Sequence, residues 1–360
     1  MVSAARYLME GPRMVLTSCR NRFMPQKYFS TAKDICELVV KNCWNGTYFV
    51  VSPNNFKQFW TRDFGWCTKS LLRLGYEKEV YATLRYALNR FKKYNTITTT
   101  INFGGKPYNF PTPAADSLPW LIHSIKISKF PYHEYRDFLN KEIKKYFESL
   151  INKQTGLIGP ELHLSSIKDY ALRKSSCYDN CMAALLAKDL PDMKLINPFE
   201  SFDYEDLLKR HFWNGHYFYD DLRKKSYVAG DANLFPFALG IINDKEMLRS
   251  AIEEIKTAGL DQPFPLKYTA SREEVLFIPQ EKAVYNYESD SIWTHMGPLY
   301  IKILQQVDKE AAIGHKQKYT EWIEKHHNYL EVFFADERPF RSPFYYCDMG
   351  MLWAANYLTL

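Results

Sequence analysis

Carboxylates recur where loops give way to apolar segments, and that placement is the first sign of chemistry in this chain. Asp63 follows Trp60-Thr61-Arg62. Asp116 ends the proline-stiffened loop Phe110-Pro111-Thr112-Pro113-Ala114-Ala115 and opens the apolar run Leu118-Pro119-Trp120-Leu121-Ile122, while Asp179, Asp231, Asp290 and Asp348 stand at comparable junctions. Glu331 lies in Leu330-Glu331-Val332-Phe333-Phe334-Ala335-Asp336, and Glu288 in Tyr285-Asn286-Tyr287-Glu288-Ser289-Asp290. A carboxyl in an apolar setting keeps its proton toward neutrality and can donate it, and a second, ionised one can activate water. Asp is also a favoured helix N-cap, so position alone assigns no role; the elements that carry these residues must.

Those elements are helical. Apolar residues spaced at i, i+3, i+4 and i+7 predict helices after Ser30 and over 62–74, 77–92, 116–128, 132–150, 176–189, 201–211, 231–242, 245–258, 288–307, 308–330 and 347–358. The connections alternate: roughly 16–29 residues before each even-numbered helix and roughly 0–11 after it. Short connections make antiparallel neighbours, so all the long loops emerge at one end. Six such hairpins closed into a double ring make an all-α (α/α)6 barrel spanning 30–360, with residues 1–29 as an N-terminal arm. The even helices form the inner ring, and their starts converge beneath the loops. Phe212-Trp213-Asn214-Gly215-His216-Tyr217-Phe218 echoes Cys43-Trp44-Asn45-Gly46-Thr47-Tyr48-Phe49. Asn-Gly predicts a tight turn in each, so both long loops open on a small β-hairpin.

Composition narrows the ligand. With 26 Tyr, 24 Phe and 8 Trp the chain has more rings than a core requires, and Tyr and Trp suit surfaces that grip amphipathic molecules such as sugars. The net charge of +6 is scattered, without the blocks that bind nucleic acid. No stretch reaches the ~18 apolar residues of a membrane span. Seven cysteines in a long chain argue for free thiols in a reducing, cytoplasmic compartment. Residues 1–23 hold four arginines and a single acid, Glu10, a composition faintly like a transit peptide. Gly11 and Pro12 are expected to break any helix there, which favours a surface-packed arm. Neither a metal site nor a cofactor is expected, and the oligomeric state is not readable.

Trp60-Thr61-Arg62-Asp63 is where the chain resembles the six-hairpin glycosidases: the neutral invertases, trehalases, glucoamylases and processing α-glucosidases. In that resemblance Arg62 and Asp63 hold hydroxyls of the terminal sugar, as a fork of donors beside a pair of acceptors would. Asp116-Ser117-Leu118-Pro119-Trp120 is similar to the neutral invertase segment whose Asp is the general acid, and 330–336 resembles the segment carrying the general base. The resemblance thus implies an inverting exo-glycosidase acting on a small α-glucoside or a sucrose- or trehalose-like oligosaccharide, with Asp116 as acid and Glu331 as base. Glu288 is the second choice for the base. Trp60, Trp120, Arg173, Tyr178, Asp179 and Trp293 are expected sugar contacts, while Asp231 in the debranching-like segment Gly230-Asp231-Ala232-Asn233-Leu234 is expected to be structural. A sugar epimerase, which would need paired histidines in the cavity, and a non-catalytic sugar-binding barrel are the alternatives.

Overall fold

The computed structural model describes the backbone of residues 4–360 and the side chains from Gly11 onward. After an N-terminal helix α1 (Ala4–Phe23), helices alternate between two rings. The outer ring comprises α2 (Ala32–Asn42), α4 (Glu77–Tyr94), α6 (Arg136–Leu150), α8 (Tyr204–Phe212), α10 (Lys245–Thr257) and α12 (Lys309–His326). The inner ring comprises α3 (Thr61–Arg73), α5 (Ser117–Ser128), α7 (Cys177–Asp189), α9 (Gly230–Ala238), α11 (Gly297–Leu304) and α13 (Ala354–Leu358). Each inner helix packs on the next, and α13 closes the ring against α3. The expected (α/α)6 barrel is therefore the architecture found.

The sequence places each helix in its ring by how much of its circumference is apolar. Outer helix α10 buries a stripe of Leu248, Ala251, Ile252 and Ile255 and leaves the rest to solvent, whereas α7 is buried on nearly every side. A helix apolar all round must sit inside. Side-chain caps fix several starts: Ser176 Oγ accepts the Asp179 amide of α7, and Asp244 Oδ1 accepts the Glu246 and Met247 amides of α10.

The alternation of loop lengths also holds. The chain uses everything between Thr257 and Gly297 to pass from α10 to α11, but needs only the stretch between Leu304 and Lys309 to return. The long loops are knitted together above the ring. β1 (Phe59–Trp60), β2 (Thr100–Ile101) and β3 (Pro107–Tyr108) join the first two loops in an antiparallel sheet. β4 (Ile292–Trp293) pairs with β5 (Val332–Phe333) and joins the last two. Both Asn-Gly turns form, bridging Trp44 to Phe49 and Trp213 to Phe218. Each Asn side chain accepts two amides of its own turn, and Gly46 and Gly215 adopt positive φ, which glycine permits without steric cost.

Three expectations are corrected. Residues 11 and 12 do not break a helix, because α1 continues through Pro12; proline removes one ladder hydrogen bond, and here the helix continues past it. The segment 288–307 is helical only from Gly297, since Pro298 belongs in a first turn and Ile292–Trp293 is taken up by β4. The segment 347–358 is helical only from Ala354. Before that, Leu330 bridges Met349 and the Glu331 amide bonds the Asp348 carbonyl, which holds residues 348 and 349 extended beside Glu331.

One approach between two inner helices needs the absence of a side chain. A Cβ placed on Gly65 of α3 would meet Trp120 Cβ of α5 at 2.6 Å. Gly65→Ala is expected to lower stability by about 1–3 kcal/mol, the usual cost of overpacking, read as a lower urea midpoint. An unchanged midpoint would mean that α3 and α5 spread freely.

Candidate active site

The first turn of α3 delivers a cation to the loop-bearing end of the barrel. Arg62 Nη1 lies 3.6 Å from Asp116 Oδ2, and Arg62 Nε lies 3.8 Å from Asp63 Oδ2. The guanidinium sits over the Trp66 ring at 5.2 Å, a cation–π arrangement. Asp63 is oriented by the Trp353 indole N–H, which donates to Oδ1 at 3.2 Å. Asp116 occupies the N-cap position of α5, yet its side chain caps nothing. It faces Arg62 and accepts from the Tyr178 hydroxyl at 3.2 Å, and that hydroxyl in turn accepts from the Trp120 indole. Burial first, with Asp179 nearby and Arg62 opposing, raises the Asp116 carboxyl to about 7.

Glu331 is held from three directions. Tyr287 donates to Oε1 at 2.6 Å, and Tyr345 and the Asp348 amide donate to Oε2 at 2.5 and 2.8 Å. The β4–β5 pairing places it next to Trp293 and Thr294. Burial raises it to about 7, with the neighbouring Asp348 adding to the rise and the three donors opposing it.

Glu288 and Asp169 form a second carboxylate pair. Glu288 accepts the Asp169 amide at 2.5 Å and the Tyr170 amide at 2.8 Å. The third and fifth long loops are tied here, with Ala171 bridging Phe277. Burial pushes Glu288 up to about 7. Asp169 is pushed well above the usual carboxylate range, by burial first and by the charge of Glu288 second.

Arg62, Asp63, Asp169, Glu288 and Glu331 share one cavity of about 210 Å³. Of the expected site residues, Trp60, Arg62, Asp63, Glu288, Trp293 and Glu331 line it. Asp116, Trp120, Arg173, Tyr178 and Asp179 do not. Asp116 and Tyr178 stand behind Arg62, Trp120 behind Tyr178. Arg173 is spent on Asp231 at 3.2 Å, and Asp179 accepts from Ser176 within its own helix start. Asp231 is wholly buried against Lys168 at 2.9 Å, and Asn233 accepts from the Phe218 amide and donates to the Phe218 carbonyl at one end of the second hairpin. Sequence reasoning missed Asp169, His295, Trp66 and Trp353. Asp169 has no periodic context, and its only signal was its place in a long polar loop. Helix α1 contributes Gly11 and Met14 to the cavity wall.

A rhamnosidase from Klebsiella oxytoca with rhamnose bound superposes at a TM-score of 0.63 with 11% identity over 91% of this chain, which spans 62% of the rhamnosidase. A bacterial glucoamylase complexed with acarbose gives 0.63 at 14% identity over 91% of this chain and 54% of its own. A GH63 mannosylglycerate hydrolase from Thermus thermophilus gives 0.60 at 9% identity, over 91% of this chain and 98% of its own. The chain has the six-hairpin barrel of these proteins. No family model and no curated protein matches the sequence. Among the described residues, no helix of this barrel is long and apolar enough to cross a membrane.

The raised carboxyls of the barrel make its stability depend on pH. Glu331 moves from 4.5 when exposed to about 7 when folded, so folding favours its protonated form. That contribution is complete below the exposed value and is lost as pH rises through 7. At 1.36 kcal/mol per unit it amounts to roughly 3 kcal/mol. The melting temperature is expected to fall between about pH 4.5 and 7 and to level off above that, and Glu331→Gln to remove part of that fall. Parallel pH profiles for the two proteins would contradict this.

Proposed function

We propose that the protein is an inverting, exo-acting glycoside hydrolase that removes a terminal sugar from a small α-glucoside or a sucrose- or trehalose-like substrate. The observation that carries this reading is one cavity lined by two separately held sets of carboxylates. Glycosidic cleavage by inversion needs a protonated carboxyl at the leaving oxygen and an ionised one at the attacking water.

Glu331 is the base. Its three donors hold the carboxylate in one orientation, and a value near 7 suits a group that must accept a proton at neutral pH. Asp169 is the acid. Two backbone amides favour the ionised form of Glu288, so the proton of that pair rests on Asp169, which is partly exposed to the cavity. Glu288, considered as a base from sequence, becomes the group that keeps the acid protonated. Arg62 and Asp63 bracket hydroxyls of the sugar, and Asp116 positions Arg62 from behind. Trp60 and Trp293 supply ring faces, and helix α1 over the cavity favours a single terminal sugar with a short leaving group. The unbonded cysteines, of which only Cys19 is exposed, support a cytoplasmic setting.

Asp116 as acid is the second reading, favoured by its value near 7. The epimerase alternative is disfavoured, because His295 is the one histidine among the described lining residues.

Glucosides, sucrose and trehalose are to be incubated with the protein while the first-formed anomer is followed by NMR; initial appearance of the retained anomer removes the inverting mechanism. Glu331→Gln and Asp169→Asn are each expected to lower kcat by about 10²–10⁴-fold. An aryl glycoside with an acidic phenol leaves without a proton, so it should restore the rate of Asp169→Asn but not of Glu331→Gln. If that rescue appears in Asp116→Asn and not in Asp169→Asn, the acid is Asp116.

A further inference from the structure

His295 lies in the stretch between β4 and α11 and lines the cavity at 2% exposure. It is built in on all sides. Its ring stacks on Trp66 at 4.4 Å with an interplanar angle of 7°, and Trp293 and Trp353 meet it edge-on at 5.2 and 5.0 Å. Among the described residues its one hydrogen-bond partner is the Tyr268 hydroxyl, 3.3 Å from Nε2.

That contact assigns the tautomer. The single proton of the Tyr268 hydroxyl is donated to the Ile167 carbonyl at 2.9 Å, so the hydroxyl oxygen must accept from His295, and Nε2 carries the N–H. Burial, with the Arg62 charge second, holds the imidazole well below its usual range and hence neutral. A neutral imidazole protonated at Nε2 has a bare lone pair at Nδ1. Nδ1 has no partner among the described residues, and neither has the indole Nε1–H of the stacked Trp66. One acceptor and one donor thus stand unmet and covered from solvent on two parallel rings of residues that line the same cavity. Buried polar atoms are almost always paired, and an acceptor and a donor on stacked rings match a sugar hydroxyl, which gives one hydrogen bond and takes another.

We propose that His295 and Trp66 form a hydroxyl-reading pair: His295 Nδ1 accepts the proton of one hydroxyl of the bound sugar, and Trp66 Nε1–H donates to that hydroxyl or its neighbour. This rests on the reading of the cavity as a sugar site, though not on hydrolysis. The pair selects which sugar binds, and it takes no part in proton transfer to the leaving group.

Binding alone tests it. Methyl α-glucoside and its 2-, 3-, 4- and 6-monodeoxy analogues are titrated calorimetrically into wild type, His295→Phe and His295→Gln. One analogue is expected to bind wild type roughly tenfold more weakly than the parent, the worth of one hydrogen bond. In His295→Phe the parent should weaken by a similar factor and the difference for that analogue should vanish. His295→Gln, which keeps an acceptor, should retain part of it and guards against a folding defect in the Phe variant. An unchanged discrimination profile in both variants overturns the proposal, as does a wild type that binds none of the glucosides. Glu331→Gln separates this from the reaction: if it binds the panel like wild type while wild type hydrolyses nothing, the hydrolase reading fails and the hydroxyl-reading pair stands.

Discussion

A cavity with more negative charge than it can easily hold is the constraint around which the loop-bearing end of this barrel is arranged. Four carboxylates, Asp63, Asp169, Glu288 and Glu331, line it against a single cation, Arg62, among the described lining residues. Removing charges from water is expensive, and an excess of like charge in one place is relieved either by cations or by protons. Arg62 is divided between Asp63 and Asp116, which leaves the other carboxylates to hold protons or to collect donors. The chemistry follows from that shortage of positive charge.

The inner helices alone do not hold these side chains in place. Glu331, Glu288 and Asp169 all lie outside helices, and each is located by contacts between loops. β4 and β5 pair Trp293 with Val332 and so set Glu331 opposite Thr294, Glu288 gathers the amides of the third loop, and the β1 strand ends in Trp60 directly before α3. Helix α1 joins the same assembly, because Asn21 donates to Asp348 at 3.1 Å and the Asp348 amide reaches Glu331. The long loops are thus a second, knitted layer, and the barrel is the frame that brings their ends to one place.

This division explains what could be read from the chain. Apolar periodicity is a local property, so the helices and the alternation of their connections were legible, and with them the barrel and its functional end. Trp60, Arg62 and Asp63 were legible because they open a helix. Glu331 stood out only within its aromatic surroundings, and nothing local pointed to Tyr345 as its donor. Asp169 was hidden because its environment comes from Glu288, far away in sequence. Asp116 looked like a cap or an acid, and a fixed local pattern cannot reveal that its carboxyl turns toward Arg62 and Tyr178. Pro12 and Pro298 mark the limit of local rules in opposite directions: one helix continues through its proline, the other waits for it.

The same electrostatic device then appears twice with different outcomes. Asp348, wholly buried, takes hydrogen bonds from Ser52, the Asn55 amide and Asn21, and its charge raises neighbouring Glu331. Glu288, held by two amides, raises neighbouring Asp169. In each pair one carboxylate is anchored by donors and loads its partner. The partners differ in what else they receive. Glu331 has three donors that favour its ionised form and hold it near 7, while among the described residues no hydrogen-bond donor meets the Asp169 carboxyl, which rises further. Two carboxyls on one cavity, driven apart by the number of donors around each, are what separate an acid from a base. On the proposed reading, the tyrosines at 287 and 345, more than the carboxylates themselves, decide which is the acid and which the base.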